Sequence, residues 1–277
     1  MSDASPPETL AALRALTRQA EGLWQALYPT WPEFSVEVLP SLDSTNTELM
    51  RRARAGQRQP TLLVALEQTA GRGRRGRHWT SRPGASLTFS LGLPFDPADW
   101  SGLSLAVGVS LAERLHPNVQ LKWPNDLWWQ GRKLGGILIE AASCGAQRYA
   151  VIGVGLNVAR PELPPPADPA TECEAAVALP PVPPAALQEF DPQRDAGEWL
   201  AGVVPALARD LLCFEREGFA AFGARFAARD ALAGLELRLS DGQQGQSAGV
   251  GPDGTLRLRS ASGLVEITNA EVSVRPR

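Results

Sequence analysis

Three cysteines, Cys144, Cys173 and Cys213, are too few and too scattered for a disulfide or zinc framework in a 277-residue chain with only two histidines, His78 and His116. Reduced thiols and a cytoplasmic location are the expectation. No stretch reaches the ~18 apolar residues of a membrane-spanning helix, and "MSDASPPETL" has no basic segment leading into an apolar one, so neither a membrane anchor nor a secretory leader is expected. A net charge of −3 lacks the broad basic field of a protein that coats nucleic acid or anionic membrane. No serine-centred nucleophile elbow is expected, "GVGLN" lacks the spacing and following helix of a dinucleotide fingerprint, and the cysteines and histidines have no metal-ligand spacing.

The remaining composition, 44% hydrophobic and 21% charged, suits a large globular domain with a small one beside it. Residues 8 to 27 place Leu10, Leu13, Leu16, Ala20, Leu23 and Leu27 at helical spacing, which predicts one amphipathic helix. A DNA-reading module needs a second helix and about 50 to 60 residues, so operator binding is not expected. From Val36 to about Ala228 strands and helices mix: "TLLVALEQ" and "SLTFSLGL" read as strands and "GLSLAVGVSLAERL" as a buried helix. "VQLKWPNDLWWQGRKLGGILIEAA" reads as three strands separated by a Pro-Asn-Asp turn and a Gln-Gly turn, and "YAVIGVGLNV" as a fourth. Between Pro161 and Pro192 lie ten of the 24 prolines, a surface insertion to which no chemistry is assigned. After Leu232, short strands alternate with Asp241-Gly242, Asp253-Gly254 and Ser262-Gly263 turns, predicting a small barrel docked on the larger domain. The fold class is α+β, with boundaries expected at 1–35, 36–230 and 231–277.

Charge is concentrated in one place. "GRGRRGR", Gly71 to Arg77, sets four arginines and three glycines in seven positions between core strands. Glycine lets backbone approach a ligand, and arginine binds carboxylate or phosphate with a permanently charged fork, so the loop suits anions. A solvated loop or a nucleic-acid contact is the competing reading. In "DSTNTEL", Thr45 and Glu48 have capping-box spacing, and the amides of such a helix start also suit an anion. Lys122 and Lys133 are expected on adjoining strands, with Trp123, Trp128 and Trp129 beside Gly135 and Gly136 as a wall for a flat ligand. Paired glycines in an apolar strand mean that a ligand or another backbone comes close. "GVGLN", Gly153 to Asn157, repeats that pattern, or is a bulge.

In order, "STN", Gln68, "GRGRRGRHW", "KWPNDL", "RKLGGIL" and "GVGLN" resemble the catalytic domain of biotin protein ligases, and the tail "GPDGTLRLRS" to "AEVSVRPR" resembles that family's SH3-like C-terminal domain. The resemblance implies a mixed β-sheet flanked by helices, related to class II aminoacyl-tRNA synthetases. It implies formation of biotinyl-5'-AMP from biotin and ATP with Mg²⁺, then transfer to a lysine of the biotin carboxyl carrier protein of acetyl-CoA carboxylase. It places Ser44, Thr45, Asn46, Gln68, Gly71, Arg72, Lys133, Gly135 and Gly136 at biotin. Arg74, Arg75, Arg77, Trp79, Asn125, Asp126 and Asn157 fall on the ATP and adenylate side, with Glu271 and Arg275 contributed by the small domain. Lys133 and Arg74 are the expected catalytic pair. Family members often pair through the catalytic sheet, so a homodimer is an expectation. A lipoate ligase and a nucleic-acid-binding regulator are the alternatives.

Overall fold

The strand "TLLVALEQ" is apolar along nearly its whole length because both of its faces are covered. In the computed structural model, which describes residues 7–144, 147–161, 182–260, 263–268 and 274–276, Leu62, Val64 and Leu66 point into the main core. Leu63 points the other way, into a smaller cluster with Leu49, Met50, Ala53, Tyr149 and Val151. This strand, β2 (Thr61–Gln68), lies in a seven-stranded sheet with β1 (Ser35–Leu42), β3 (Ser86–Pro94), β4 (Gln120–Lys122), β5 (Asp126–Trp129), β6 (Arg132–Cys144) and β7 (Gln147–Asn157). Their order is β1-β2-β3-β7-β6-β5-β4. β1 and β2 are parallel and the remaining pairs antiparallel, so the sheet is mixed, as expected.

Helices α1 (Pro7–Leu27), α3 (Leu103–Leu115) and α4 (Ala196–Glu217) contribute Leu16, Leu23, Val107, Val109, Leu111, Leu200 and Leu207 to the main core. α2 (Thr45–Arg54) supplies the second cluster on the opposite face. α5 (Gly223–Ala227) leads into a five-stranded antiparallel sheet of β8 (Glu236–Leu239), β9 (Gln244–Val250), β10 (Leu256–Ser260), β11 (Gly263–Ile267) and β12 (Val274–Pro276), ordered β11-β10-β9-β8-β12. That small sheet fits an SH3-like fold. It docks where Trp123 Nε1 donates to Gly254 O (3.0 Å), and Gly254, at φ 82°, comes so close to Gly102 that a side chain would not fit.

Several local expectations change. The helix cap is Ser44, whose Oγ accepts from Thr47 N (3.4 Å). Thr45 is instead the first helical residue, and Glu48 pairs with Arg51 and Arg52. The expected Thr45–Glu48 capping box is absent because a stronger partner, Gln68, takes the threonine. Lys122 and Lys133 are not on adjoining strands, since β5 lies between β4 and β6. The three tryptophans form no common wall: Trp129 packs against His116 and Phe190, Trp128 lies beneath Lys122 Nζ (4.7 Å), and Trp123 donates to the small sheet while also lining a cavity with Gly136. The proline-rich stretch is only partly described, yet three of its described residues are core: Ala185, Ala186 and Leu187 are at most 1% exposed.

Candidate active site

Beyond the cover of α2, the sheet's residues change from large to small. On β7 the face that carries Tyr149 and Val151 continues as Gly153 and Gly155. Opposite them in register stand Ser90 and Thr88 on β3, and Leu138 and Gly136 on β6. Thr88, Gly136, Gly153 and Gly155, with Leu138 beside them, floor a cavity of about 180 Å³, walled by Ser44, Thr45, Gln68 and the loop from Arg72 to Trp79, while Ser90 lies buried beneath. Small residues make the volume here. Trp79 lies over Gly155, and any side chain at Gly155 would collide with its indole.

One end of the floor is polar and closely hydrogen-bonded. Thr45 N–H and Thr45 Oγ1 both donate to Gln68 Oε1 (2.8 and 3.1 Å), while Gln68 N–H donates to Ser81 Oγ (2.7 Å). Ser90 Oγ holds its proton within reach of Asn46 Oδ1 (2.6 Å) and Thr45 Oγ1 (2.7 Å). Asn46 Nδ2 donates to Leu138 O (3.1 Å) and to Glu140 Oε2 (3.0 Å). Ser44, Thr45, Asn46, Gln68, Ser81 and Ser90 are all buried, so each of these bonds fixes a group that would be costly unpaired.

The other end is charged. Lys133 Nζ donates to Asp126 Oδ1 (2.7 Å), and Arg74 Nη1 donates to Asn125 Oδ1 (2.8 Å). Asn125 Nδ2 is anchored on Ile137 O (2.8 Å), so Asn125 positions Arg74. Burial, opposed by Asp126 and reinforced by Arg75 and Arg77, pulls the Arg74 pKa below the usual guanidinium value. It stays charged at any working pH, and its partial desolvation strengthens its pull on an incoming anion. Lys122 also lines the cavity, and Lys122 and Lys133 are the only lysines among the chain's 27 basic residues.

The arginine loop is a miniature hairpin. Arg72 bridges His78, Gly73 N–H donates to Arg77 O (2.7 Å) and Trp79 N–H to Gly71 O (2.9 Å). Arg75 at its tip adopts the left-handed backbone, φ 58°, with Gly76 at φ 69°. Arg72, Arg75 and Arg77 are exposed, and Trp79 Nε1 is buried without a hydrogen-bond partner among the described residues.

Residues 38–157 match the model of the biotin/lipoate A/B protein ligase family. The chain is 35% identical to the bifunctional ligase/repressor BirA of Escherichia coli, covering 87% of this chain and 74% of that protein. It is 33% identical to the biotin–[acetyl-CoA-carboxylase] ligase of Paracoccus denitrificans, covering 85% and 98%. This chain belongs to the biotin/lipoate A/B protein ligase family. Its fold also matches the biotin protein ligase of Aquifex aeolicus solved in complex with biotin and ATP, with a TM-score of 0.70 at 28% identity, covering 87% of this chain and 99% of that one.

As a member of that family, the chain brings most of the expected residues into one cavity: Ser44, Thr45, Asn46, Gln68, Arg72, Arg74, Arg75, Arg77, Trp79, Asn125, Asp126, Lys133 and Gly136 all line it. Three take different positions. Gly71 closes the loop's hairpin, and Gly135 is small because Gly155 O and a Leu156 methyl lie 2.6 Å from where its side chain would start. Asn157 is buried and donates Nδ2 to Ala185 O (3.0 Å) and towards Lys133 O (3.5 Å). Glu271 lies outside the described residues, and Arg275 is described only as the β12 backbone opposite Arg238. Sequence reasoning missed Thr88, Ser90 and Glu140. The two hydroxyls alternate with large apolar residues in "SLTFSL", a signal for a polar row on one sheet face.

Proposed function

We propose that this chain is a biotin–[acetyl-CoA-carboxylase] ligase: it joins biotin to ATP, releasing pyrophosphate, and passes the biotinyl group from biotinyl-5'-AMP to a lysine of the biotin carboxyl carrier protein. The observation that carries this reading is a single cavity with a neutral, hydrogen-bonded end at Thr45 and Gln68 and a cationic end at Lys133 and Arg74. A ligand with a polar uncharged ring at one end and a carboxylate at the other matches that division.

In the first step a carboxylate oxygen attacks the α-phosphorus and the bond to pyrophosphate breaks. At an effective dielectric of about 20, two like unit charges 4 Å apart repel by about 4 kcal/mol, so the approach needs cations already in place. Lys133 and Arg74 are held there in advance by Asp126 and Asn125, and this preorganisation is what stabilises charge on the attacked phosphate. A cavity of about 460 Å³ adjoins past Arg74 and Asn125, bordered by Asp253–Thr255 of the small sheet, and gives the polyphosphate room. In the second step the carrier's amine attacks the acyl carbon and AMP leaves. The arginine loop and Trp79 keep water from the mixed anhydride meanwhile.

ATP enters as its magnesium complex. Among the described residues no three His, Cys, Asp or Glu side chains form a metal cluster, so phosphate oxygens and water would supply most ligands, with Asp126 the carboxylate at hand. Residues 36–230 are assigned to the catalytic domain, 231–277 to the SH3-like domain and 1–35 to an extension. No helix among the described residues is long and apolar enough to cross a membrane. A cytoplasmic location, pairing through the catalytic sheet and absence of operator binding belong to the same proposal; sedimentation and filter binding at two salt concentrations test the last two.

Incubation with labelled biotin, ATP and Mg²⁺, with and without carrier, tests the central reading. Lys133→Ala is expected to reduce carrier labelling by about 10²- to 10³-fold, the usual loss on removing one transition-state donor. Undiminished labelling removes Lys133 from its role. Lipoate-dependent rather than biotin-dependent pyrophosphate exchange overturns the substrate.

A further inference from the structure

Glu140 is the one acid of β6, set in the apolar run from Ile137 to Ala142, and its surroundings give it a task. It follows Gly136 and Leu138 on the cavity face of β6, at the end where α2 covers the sheet. Its two oxygens serve two different elements. Oε1 accepts from Arg72 Nη2 of the arginine loop (3.0 Å), and Oε2 accepts from Asn46 Nδ2 at the start of α2 (3.0 Å). Arg72 Nη1 also reaches Thr47 Oγ1 (3.4 Å) on α2. Asn46 in turn belongs to the buried chain Ser90–Thr45–Gln68–Ser81, and Gly153 has no side chain because one would strike Asn46.

A loop with four arginines in seven positions repels itself, so closed and open arrangements differ by how many of those charges find a partner. Among the described residues two do. Arg74 is held by a neutral amide, Asn125, and Arg72 by a carboxylate, Glu140. The Arg72–Glu140 pair is only half shielded: the arginine side chain is 50% exposed and the glutamate 22%. Such a pair is weak enough to open and strong enough to bias the loop.

We infer that Glu140 is a positioning residue that latches the arginine loop to the floor of the cavity and thereby retains the biotinyl-adenylate until a carrier arrives. The inference rests on the ligase reading for its substrate, while the latch itself does not. Glu140 touches no reacting atom. It acts through Arg72 on one side and Asn46 on the other, so loop closure and floor geometry are read by the same carboxylate.

Two measurements on the full-length chain test this. Limited trypsin digestion without any substrate reports the opening of the loop at Arg72, Arg74, Arg75 and Arg77. Cleavage in Glu140→Gln is expected to be about three- to tenfold faster, the range for losing one partly exposed charge-assisted contact. Arg72→Gln removes the same latch from the loop side without touching the sheet, and Arg72→Gln/Glu140→Gln is expected to be no faster than either single variant. Pyrophosphate released per biotin transferred is then followed under turnover. The ratio is expected to rise several-fold in Glu140→Gln, with the thermal midpoint unchanged, as a merely structural residue would not do. Unchanged cleavage, or single-variant effects that multiply in the double variant, overturns the latch. Faster cleavage with an unchanged ratio overturns its role in retention. Biotin-independent behaviour of the unaltered chain sinks the ligase reading and leaves the digestion result standing.

Discussion

The floor and the loop of this cavity are built on opposite principles. The floor, from Thr45 through Gln68 to Ser90 and Asn46, is buried and its polar atoms are paired with one another. The loop from Arg72 to His78 is largely exposed, runs through a left-handed tip at Arg75 and Gly76, and is stitched mainly by its own backbone. The floor is part of the core. Among the described residues the side chains of Arg72 and Arg74 tie the loop to the rest of the protein, the first through a half-exposed pair. Recognition of a neutral ring needs the first kind of structure, and admission and sequestration of charged reactants need the second.

The largest expected effect that tests this contrast lies in the floor. Gly153→Ala places a methyl against Asn46, and relief requires moving a side chain with three hydrogen bonds. Destabilisation of about 1 to 3 kcal/mol is expected by urea unfolding, with biotin affinity falling in parallel. Normal stability in that variant breaks the claim that the floor is core.

An intermediate effect tests the support beneath Lys133. Arg132 Nη1 donates to Glu189 Oε1 (3.0 Å), clamping the segment whose Ala185 N–H donates to Lys133 O (2.8 Å). The Arg132 guanidinium holds the Glu189 carboxyl below the usual carboxylate range, despite the opposing effect of burial. A depressed folded pKa gives stability that is fully present above the unfolded value and lost as pH falls through the folded one. Glu189→Gln is therefore expected to cost about 1 kcal/mol at neutral pH and nothing in acid, flattening the acid limb of a stability profile. An equal deficit at both ends excludes the ion pair as its source.

The smallest effect belongs to the loop tip. Arg75→Gly relieves a left-handed arginine but adds freedom to the unfolded chain, so global stability is expected to stay within about 0.5 kcal/mol. Any change appears in the kinetics of pyrophosphate exchange. If this variant unfolds as readily as Gly153→Ala, the distinction between floor and loop is lost.

Sequence periodicity carried the elements well. "TLLVALEQ" and "YAVIGVGLNV" became β2 and β7, and the turn between β5 and β6 falls on Gln130 and Gly131, both at positive φ. The motifs also named most of the cavity lining, because glycine and arginine are costly in a core and stand out there. What stayed hidden depends on partners distant in sequence. Thr45 has capping-box spacing, but Gln68, 23 positions away, takes its amide and hydroxyl. Ala185 to Leu187 look like part of a proline-rich surface stretch, but Ala185 pairs with Lys133 and Asn157, Gln188 N–H donates to Val158 O, and the three residues between Pro184 and Gln188 are buried. Glu140 looks like an exposed strand position until Arg72 arrives from 68 residues away.

The placement of both lysines at the cavity has a consequence for the protein's own surface. An acyl phosphate that escapes reacts with amines, whereas guanidinium groups remain protonated and inert towards it. The other 25 of the 27 lysine and arginine residues are arginines, so stray intermediate finds no lysine amine away from the cavity to label. Self-tagging is confined to the chain start and the cavity itself, and an amine-directed reagent applied to the intact protein becomes a selective probe of Lys122 and Lys133.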